Sequence, residues 1–172
     1  QVLRLIEKNY KNPNRKILVC GNGGSAALAN HFACDHQKIL SEISQLNPYI
    51  VSLSSNSSLM TAISNDNNYE SVYSDQINQI GLKNDILITI SSSGRSKNIV
   101  KAIEVAKKKS IFTIGLTGFD GGKSKKISDL NLHIDSSNYG IIESLHHTLM
   151  NLISQYLKNK YLSSKKVKIT KF

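Results

Sequence analysis

Two stretches of this chain combine glycines, hydroxyls and amides in a way that suits an anion. The first is Gly21-Asn22-Gly23-Gly24-Ser25-Ala26-Ala27. Its glycines let backbone amides approach a ligand and take positive φ, and Ser25-Ala26-Ala27 opens a helical pattern whose amino end favours negative charge. The spacing is not the dinucleotide fingerprint, and no P-loop lysine-serine pair is present. A plain strand-to-helix turn would not need three glycines and an asparagine. The second stretch is Ser91-Ser92-Ser93-Gly94-Arg95-Ser96. Its serine hydroxyls and free amides make a neutral, donor-rich nest for a phosphate, with Arg95 expected in solvent at the loop tip. Capping of the next helix by Ser93 or Ser96 accounts for one serine, not four. Two further polar groups, Ser54-Ser55-Asn56-Ser57 and Asn65-Asp66-Asn67, are turn formers that gain interest only beside these loops.

Acid–base groups come in pairs. His31 and Asp35 are four residues apart, as are Glu143 and His147. That spacing puts both members of each pair on one helix face. A carboxylate and an imidazole so placed can share a proton or bind a metal. His146 reads as a packing residue, and His36 and His133 read as structural or exposed.

These residues need elements to hold them. Five apolar, β-rich runs recur: Ile17 to Cys20, Tyr49 to Leu53, Ile86 to Ile90, Phe112 to Leu116 and Leu130 to Ile134. Several are continuously apolar, which suits strands covered on both faces, as in a parallel sheet. Between them lie helix-length segments. Ser96 to Lys109 sets Ile99, Val100, Ile103 and Ala106 against a lysine-rich side, and Ile141 to Tyr161 carries Leu145, Leu149, Leu152, Ile153 and Leu157. The alternation predicts an α/β fold, a doubly wound parallel sheet with helices on both faces. In such sheets ligands sit at the carboxyl ends of strands, where both polar loops fall.

The 172 residues suit a single domain, expected over 1–172 with its core at about 17–157 and a loose basic tail over 163–172. A chain of this length buries about 70% of its unfolded surface, so no disulfide or metal staple is required. Cys20 and Cys34 form no framework and fit reduced thiols in a cytoplasmic compartment. No apolar run approaches the ~20 residues of a membrane span, and no signal-peptide pattern stands out. The chain starts at Gln1, not Met, which leaves room for a short preceding piece. The formal charge of +10 lies largely in lysine clusters, at 107–109, 123–126 and in the tail at Lys158, Lys160, Lys165, Lys166, Lys168 and Lys171. These are solvated helix ends and tail, and no recognition helix or aromatic-basic motif supports nucleic-acid binding. A basic surface helps to draw in a phosphorylated substrate.

Taken together, the Cys20 to Ser25 loop followed by His31-Phe32-Ala33, the segment Ala62 to Asp66, the Ser91 to Ser96 loop and Leu116-Thr117-Gly118-Phe119-Asp120-Gly121-Gly122 resemble the phosphoheptose isomerase branch of the sugar-isomerase (SIS) family. The likeness runs from Ile17 to about Leu157. It implies a five-stranded flavodoxin-like core, a homotetramer with active sites between subunits, and no membrane. It also implies that Ser91, Ser92, Ser93 and Ser96 grip a phosphate while Asn22, Gly23, Gly24, Ser25 and Asp66 lie near the sugar. The activity implied is ketose–aldose isomerisation of sedoheptulose 7-phosphate to heptose 7-phosphate, for lipopolysaccharide or capsule heptose.

The catalytic pattern departs from that family. Its members carry a His-x-x-x-Glu pair after the first loop, and a Gln and a His eight residues apart on the last helix, which together bind zinc. Here Asp35 stands for the Glu, Glu143 for the Gln and Asn151 for the second His. Shifting the frame by four puts His147 in the histidine place but Tyr139 in that of the Gln. A third arrangement joins Glu143 to His147. The resemblance thus implies a zinc set of His31, Asp35, Glu143 and His147, with Asp35, Glu143 and His147 catalytic. The altered positions keep a second expectation open: a non-catalytic phosphosugar-binding protein acting through a protein partner, as in relatives that associate with the replication initiator DnaA.

Overall fold

The computed structural model describes residues 1–40, 43 and 45–162. Five parallel strands form one sheet in the order β2-β1-β3-β4-β5. They are β1 (Ile17–Gly21), β2 (Ile50–Ser52), β3 (Ile86–Ile90), β4 (Phe112–Thr117) and β5 (Leu130–His133). The apolar runs form strands because both of their faces are covered. Every residue of β1 and β3 is buried. Alternate side chains of one strand enter different cores. Ile17 and Val19 pack with α1 (Val2–Tyr10), α2 (Gly24–Leu40) and α7 (Tyr139–Tyr161). Leu18 and Cys20 pack with α3 (Ser57–Asp66), α4 (Ser74–Ile80) and α5 (Lys97–Lys108). The short α6 (Gly122–Ile127) follows β4 and adds Ile127 to the second core. The doubly wound expectation therefore holds, with β2 one residue shorter than the sequence pattern at each end.

The helices follow from pattern and caps. In α5, Ile99, Val100, Ala102, Ile103 and Ala106 are buried, while Lys107 and Lys108 close the last turn, where the helix dipole favours cations. In α7 the side chain of Asn138 accepts from the Ile141 amide at 3.2 Å and starts the helix. Ile142, His146, Met150, Ile153 and Leu157 then face the sheet.

The core starts earlier in the chain than residue 17. Ile6 and Tyr10 of α1 are fully buried, because α1 lies over the sheet and is tied to the end of α7. Its Glu7 receives Lys160 Nζ at 2.7 Å, Lys11 Nζ at 3.0 Å and the Tyr161 hydroxyl. The basic tail expected over 163–172 lies outside the described residues. Among the described residues no helix is long and apolar enough to cross a membrane.

Candidate functional site

The two polar loops leave β1 and β3, which are neighbours in the sheet. The chain runs from β1 outward to β2 and then returns to β3 on the other side of β1. The loops therefore flank the switch point, where the carboxyl ends of a doubly wound sheet open a crevice.

The serine loop is built on backbone. Gly94 donates to the Ser91 carbonyl at 2.9 Å and closes a tight turn. Gly118 donates to the Ser92 carbonyl at 2.8 Å, and Ser124 donates to that of Gly94 at 2.9 Å. The turn after β4 is thus locked onto the loop. Gly94 has φ +62°, and a β-carbon there would stand 1.9 Å from the Gly121 carbonyl oxygen, so only glycine fits. The hydroxyls of Ser93 and Ser96 remain available. Ser96 is the N-cap of α5 but makes no capping bond through its side chain. Ser92 Oγ is buried without a partner, and Ser93 Oγ accepts from the Arg95 amide at 3.3 Å, which leaves its proton to donate. Arg95, expected in solvent, is exposed and paired with Asp120.

In the first loop Gly23 takes φ +54° and is open to solvent. Ser25 is buried and donates its amide to the Asn22 carbonyl at 3.0 Å. Asn22 is held by three neighbours. It exchanges two hydrogen bonds of 2.9 Å with Asn98, and its Oδ1 lies 3.1 Å from the Tyr69 hydroxyl and 3.2 Å from that of Tyr73. Sequence reasoning missed Asn98, Tyr69 and Tyr73. Asn98 reads as one more polar residue in a first helical turn, and the tyrosines come from a segment with no motif of its own. Asp66 is exposed at the end of α3, and its carboxylate accepts from Asn65 at 3.1 Å. No bond to the two loops comes from it.

Across α2 and α7 lies a cavity of about 370 Å³, lined by Gly24, Ser25, His31, Glu143, His146 and His147 among others. His31 Nε2 is 3.1 Å from Asp35 Oδ2, the i, i+4 pairing expected. The His31 and His147 rings meet edge to face with centroids 5.0 Å apart. His147 of α7 thus faces His31 of α2, whereas Asn151 is not part of the cavity. A β-carbon at Gly24 would stand 3.6 Å from a Glu143 carboxylate oxygen, which places that carboxylate over the start of α2. Among the described residues Glu143 has no hydrogen-bond or ion-pair partner. His146 is fully buried, its Nε2 3.2 Å from the Thr117 carbonyl, and burial lowers its pKa. His36 is also fully buried, with Nδ1 2.6 Å from the Tyr10 hydroxyl, and burial brings its pKa down to about 3. His133 lies 3.0 Å from Thr117 Oγ1. These three are structural.

Two imidazoles and two carboxylates are donors that zinc accepts. As placed, however, they do not converge: no group of three or more His, Cys, Asp or Glu side chains among the described residues is set to hold a metal. The zinc set expected from His31, Asp35, Glu143 and His147 is therefore not assembled within one chain.

A donor-rich loop and an acid–base face beside the switch point of a flavodoxin-like sheet define an α/β domain suited to a small anionic ligand. Residues 4–118 match the SIS domain family. The chain is 43% identical over 156 residues to a phosphoheptose isomerase of Helicobacter pylori, covering 84% of this chain and 77% of that one. Phosphoheptose isomerase structures from Neisseria gonorrhoeae and Francisella tularensis superpose with TM-scores of 0.84 and 0.82 at 33% and 28% identity. Each alignment covers 92% of this chain and 83% of the other. The chain belongs to the SIS-domain family and, within it, to the phosphoheptose isomerases.

Proposed function

We infer that this protein isomerises sedoheptulose 7-phosphate to the heptose 7-phosphate aldose. The observation that carries the reading is the serine loop. Its Ser93 and Ser96 hydroxyls keep protons to donate ahead of the amino end of α5, and its strand neighbours the one that leads into the cavity with acid–base residues on α2 and α7. The phosphate binds at Ser91, Ser92, Ser93 and Ser96, and the sugar extends past Asn22 and Ser25 toward the cavity. Gly23 and Gly24 leave room for it.

The reaction moves protons and leaves the oxidation level of the molecule unchanged. Glu143, the carboxylate that lines the cavity without a partner, takes the proton from C1 of the ketose. The C–H electrons form the C1–C2 double bond, and the carbonyl oxygen at C2 is protonated from His147. The enediol then returns a proton from its C1 oxygen to His147 and takes one at C2 from Glu143. Proton transfer of this kind contributes about 10²–10⁴ in rate. Asp35 holds His31, and His31 packs against His147, so Asp35 acts by orientation.

The exposed residues Ile141, Leu145, Leu152 and Tyr156 form a second apolar stripe on α7, roughly 100° around the helix from the one that faces the sheet. This supports a homotetramer. Free Cys20 and Cys34 and a phosphorylated substrate fit the cytoplasm, where the product serves lipopolysaccharide or capsule heptose synthesis. The relatives named as isomerases weigh against the non-catalytic partner-binding reading. The test is product analysis after incubation with sedoheptulose 7-phosphate, with and without added zinc. Aldose formation with exchange of the C1 proton is the expected result. Binding without exchange under either condition overturns the reading.

A further inference from the structure

The amide pair Asn22–Asn98 ties the two ligand loops together, and its polarity can be read from the backbone. Asn98 is the second residue of α5, just past the serine loop, and is 3% exposed. Its Oδ1 accepts from the Ile99 amide at 2.9 Å. A backbone N–H can only donate, so this contact fixes which end of the Asn98 amide is oxygen. Oδ1 then takes its second hydrogen bond from Asn22 Nδ2, and Asn98 Nδ2 must donate to Asn22 Oδ1. The Tyr69 hydroxyl fills the other lone pair of that oxygen. Asn22 has two donor hydrogens and one acceptor oxygen. The oxygen is saturated and one hydrogen is spent, so a single N–H remains for a ligand.

We propose that Asn98 is a positioning residue for the phosphosugar site: it holds Asn22 so that the Asn22 side chain offers one N–H, and no acceptor, to an oxygen of the bound sugar phosphate. The proposal rests on the isomerase reading for the identity of the ligand and not for the geometry. It also makes the serine loop and the first loop one unit. A displacement of α5 carries Asn22 with it.

The experiment is a double-mutant cycle with Asn22→Ala, Asn98→Ala and the pair. It is read both as kcat/KM for sedoheptulose 7-phosphate and as its dissociation constant, with inorganic phosphate as a second probe. If Asn98 acts through Asn22, each single variant weakens sugar-phosphate binding by ~5–20-fold, as loss of one hydrogen bond does. The double variant is then no worse than Asn22→Ala, and affinity for inorganic phosphate stays within about twofold because the serine loop is untouched. Asn98→Ser, which keeps a donor and an acceptor in less volume, is made alongside in case the alanine variant does not fold. It is expected to fall between wild type and Asn22→Ala. Multiplicative losses in the double variant overturn the proposal, as does an equal loss of inorganic phosphate binding. A coupled binding cycle in a wild type that turns nothing over leaves the positioning role intact and removes the isomerase reading. No sugar-phosphate binding by wild type overturns both.

Discussion

The serine loop after β3 and the face shared by α2 and α7 are built by different means. The loop is positioned by backbone: three main-chain hydrogen bonds, of 2.8 to 2.9 Å, fix residues 91–94 against each other and against the turn at 118–124. Gly94 sits where no other residue fits. The helix face is positioned by side chains on two helix surfaces. His31 is 43% exposed at its side chain, and Glu143 and His147 are exposed as well. A backbone-built site keeps its form through many side-chain changes. A side-chain-built site changes its chemistry with each one. By that contrast, substitutions at Asp35, Glu143 and Asn151 alter chemistry while the backbone of the serine loop stays as it is.

The largest test of the contrast is on the helix face. Glu143→Gln and His147→Ala should each lower kcat by ~10²–10⁴ with inorganic phosphate affinity unchanged. Steady-state kinetics and calorimetry on the same samples check this. A His147→Ala variant with full kcat would move the proton relay to another residue. The metal content of protein purified without chelator sharpens the point. With no three ligands convergent among the described residues, zinc is expected below one per chain. Stoichiometric zinc that disappears in His147→Ala would show that the helices close around a metal in the assembled protein.

The serine loop should fail in the opposite way, by losing affinity and not rate. Gly94→Ala forces the turn at 118–122 off the loop and disturbs several phosphate donors at once. Two lost hydrogen bonds to a charged group, about 3 kcal/mol together, correspond to ~100-fold in dissociation constant. Ser93→Ala and Ser96→Ala should each cost about tenfold on the same basis. Ligand titration gives both numbers. If the serine variants bind phosphate as wild type does, the anion sits elsewhere in the crevice.

The sheet and the loops were legible in the sequence because they follow from strong local rules. Continuous apolar runs read as covered strands, and Gly94 amid serines after such a run reads as a turn. The i, i+4 pair His31–Asp35 was legible for the same reason. What was not legible depends on long-range packing. Asn98 meets Asn22 across 76 positions, and Tyr69 reaches it across 47. Whether His147 or Asn151 faced the cavity depended on the roll of α7 about its axis, which the burial of Ile142, His146 and Met150 decides. The tie of α1 to α7 through Glu7 rests on a carboxylate that sequence gives no reason to bury.

The smallest expected effect separates the helix face from the fold beneath it. His36 follows Asp35 on α2 but points into the core. Burial lowers its pKa to about 3 from 6.5, so the folded protein keeps it neutral where the unfolded chain binds a proton. The unfolded state gains protons as pH falls below about 6.5, and stability falls with it, at no more than about 1.4 kcal/mol per pH unit for one such group. Above pH 6.5 the group contributes no slope. His146, also lowered by burial, adds a slope of the same sign. Glu7 acts at lower pH. Lys160, Tyr161 and Lys11 hold its pKa down to about 2 from 4.5, so its contribution is present above about 4.5 and is lost as pH falls toward 2. Between pH 5 and 6.5 the slope therefore belongs to the buried histidines. Wild type should lose on the order of 4 °C in Tm per pH unit for each of them at the steepest. His36→Gln, which keeps an acceptor for Tyr10, should melt lower at pH 8 and show a flatter decline from pH 6.5 to 5. Thermal melts at half-unit intervals check this. An unchanged slope would mean that His36 takes up a proton in the folded state, and that α2 can open at the residue next to the helix face.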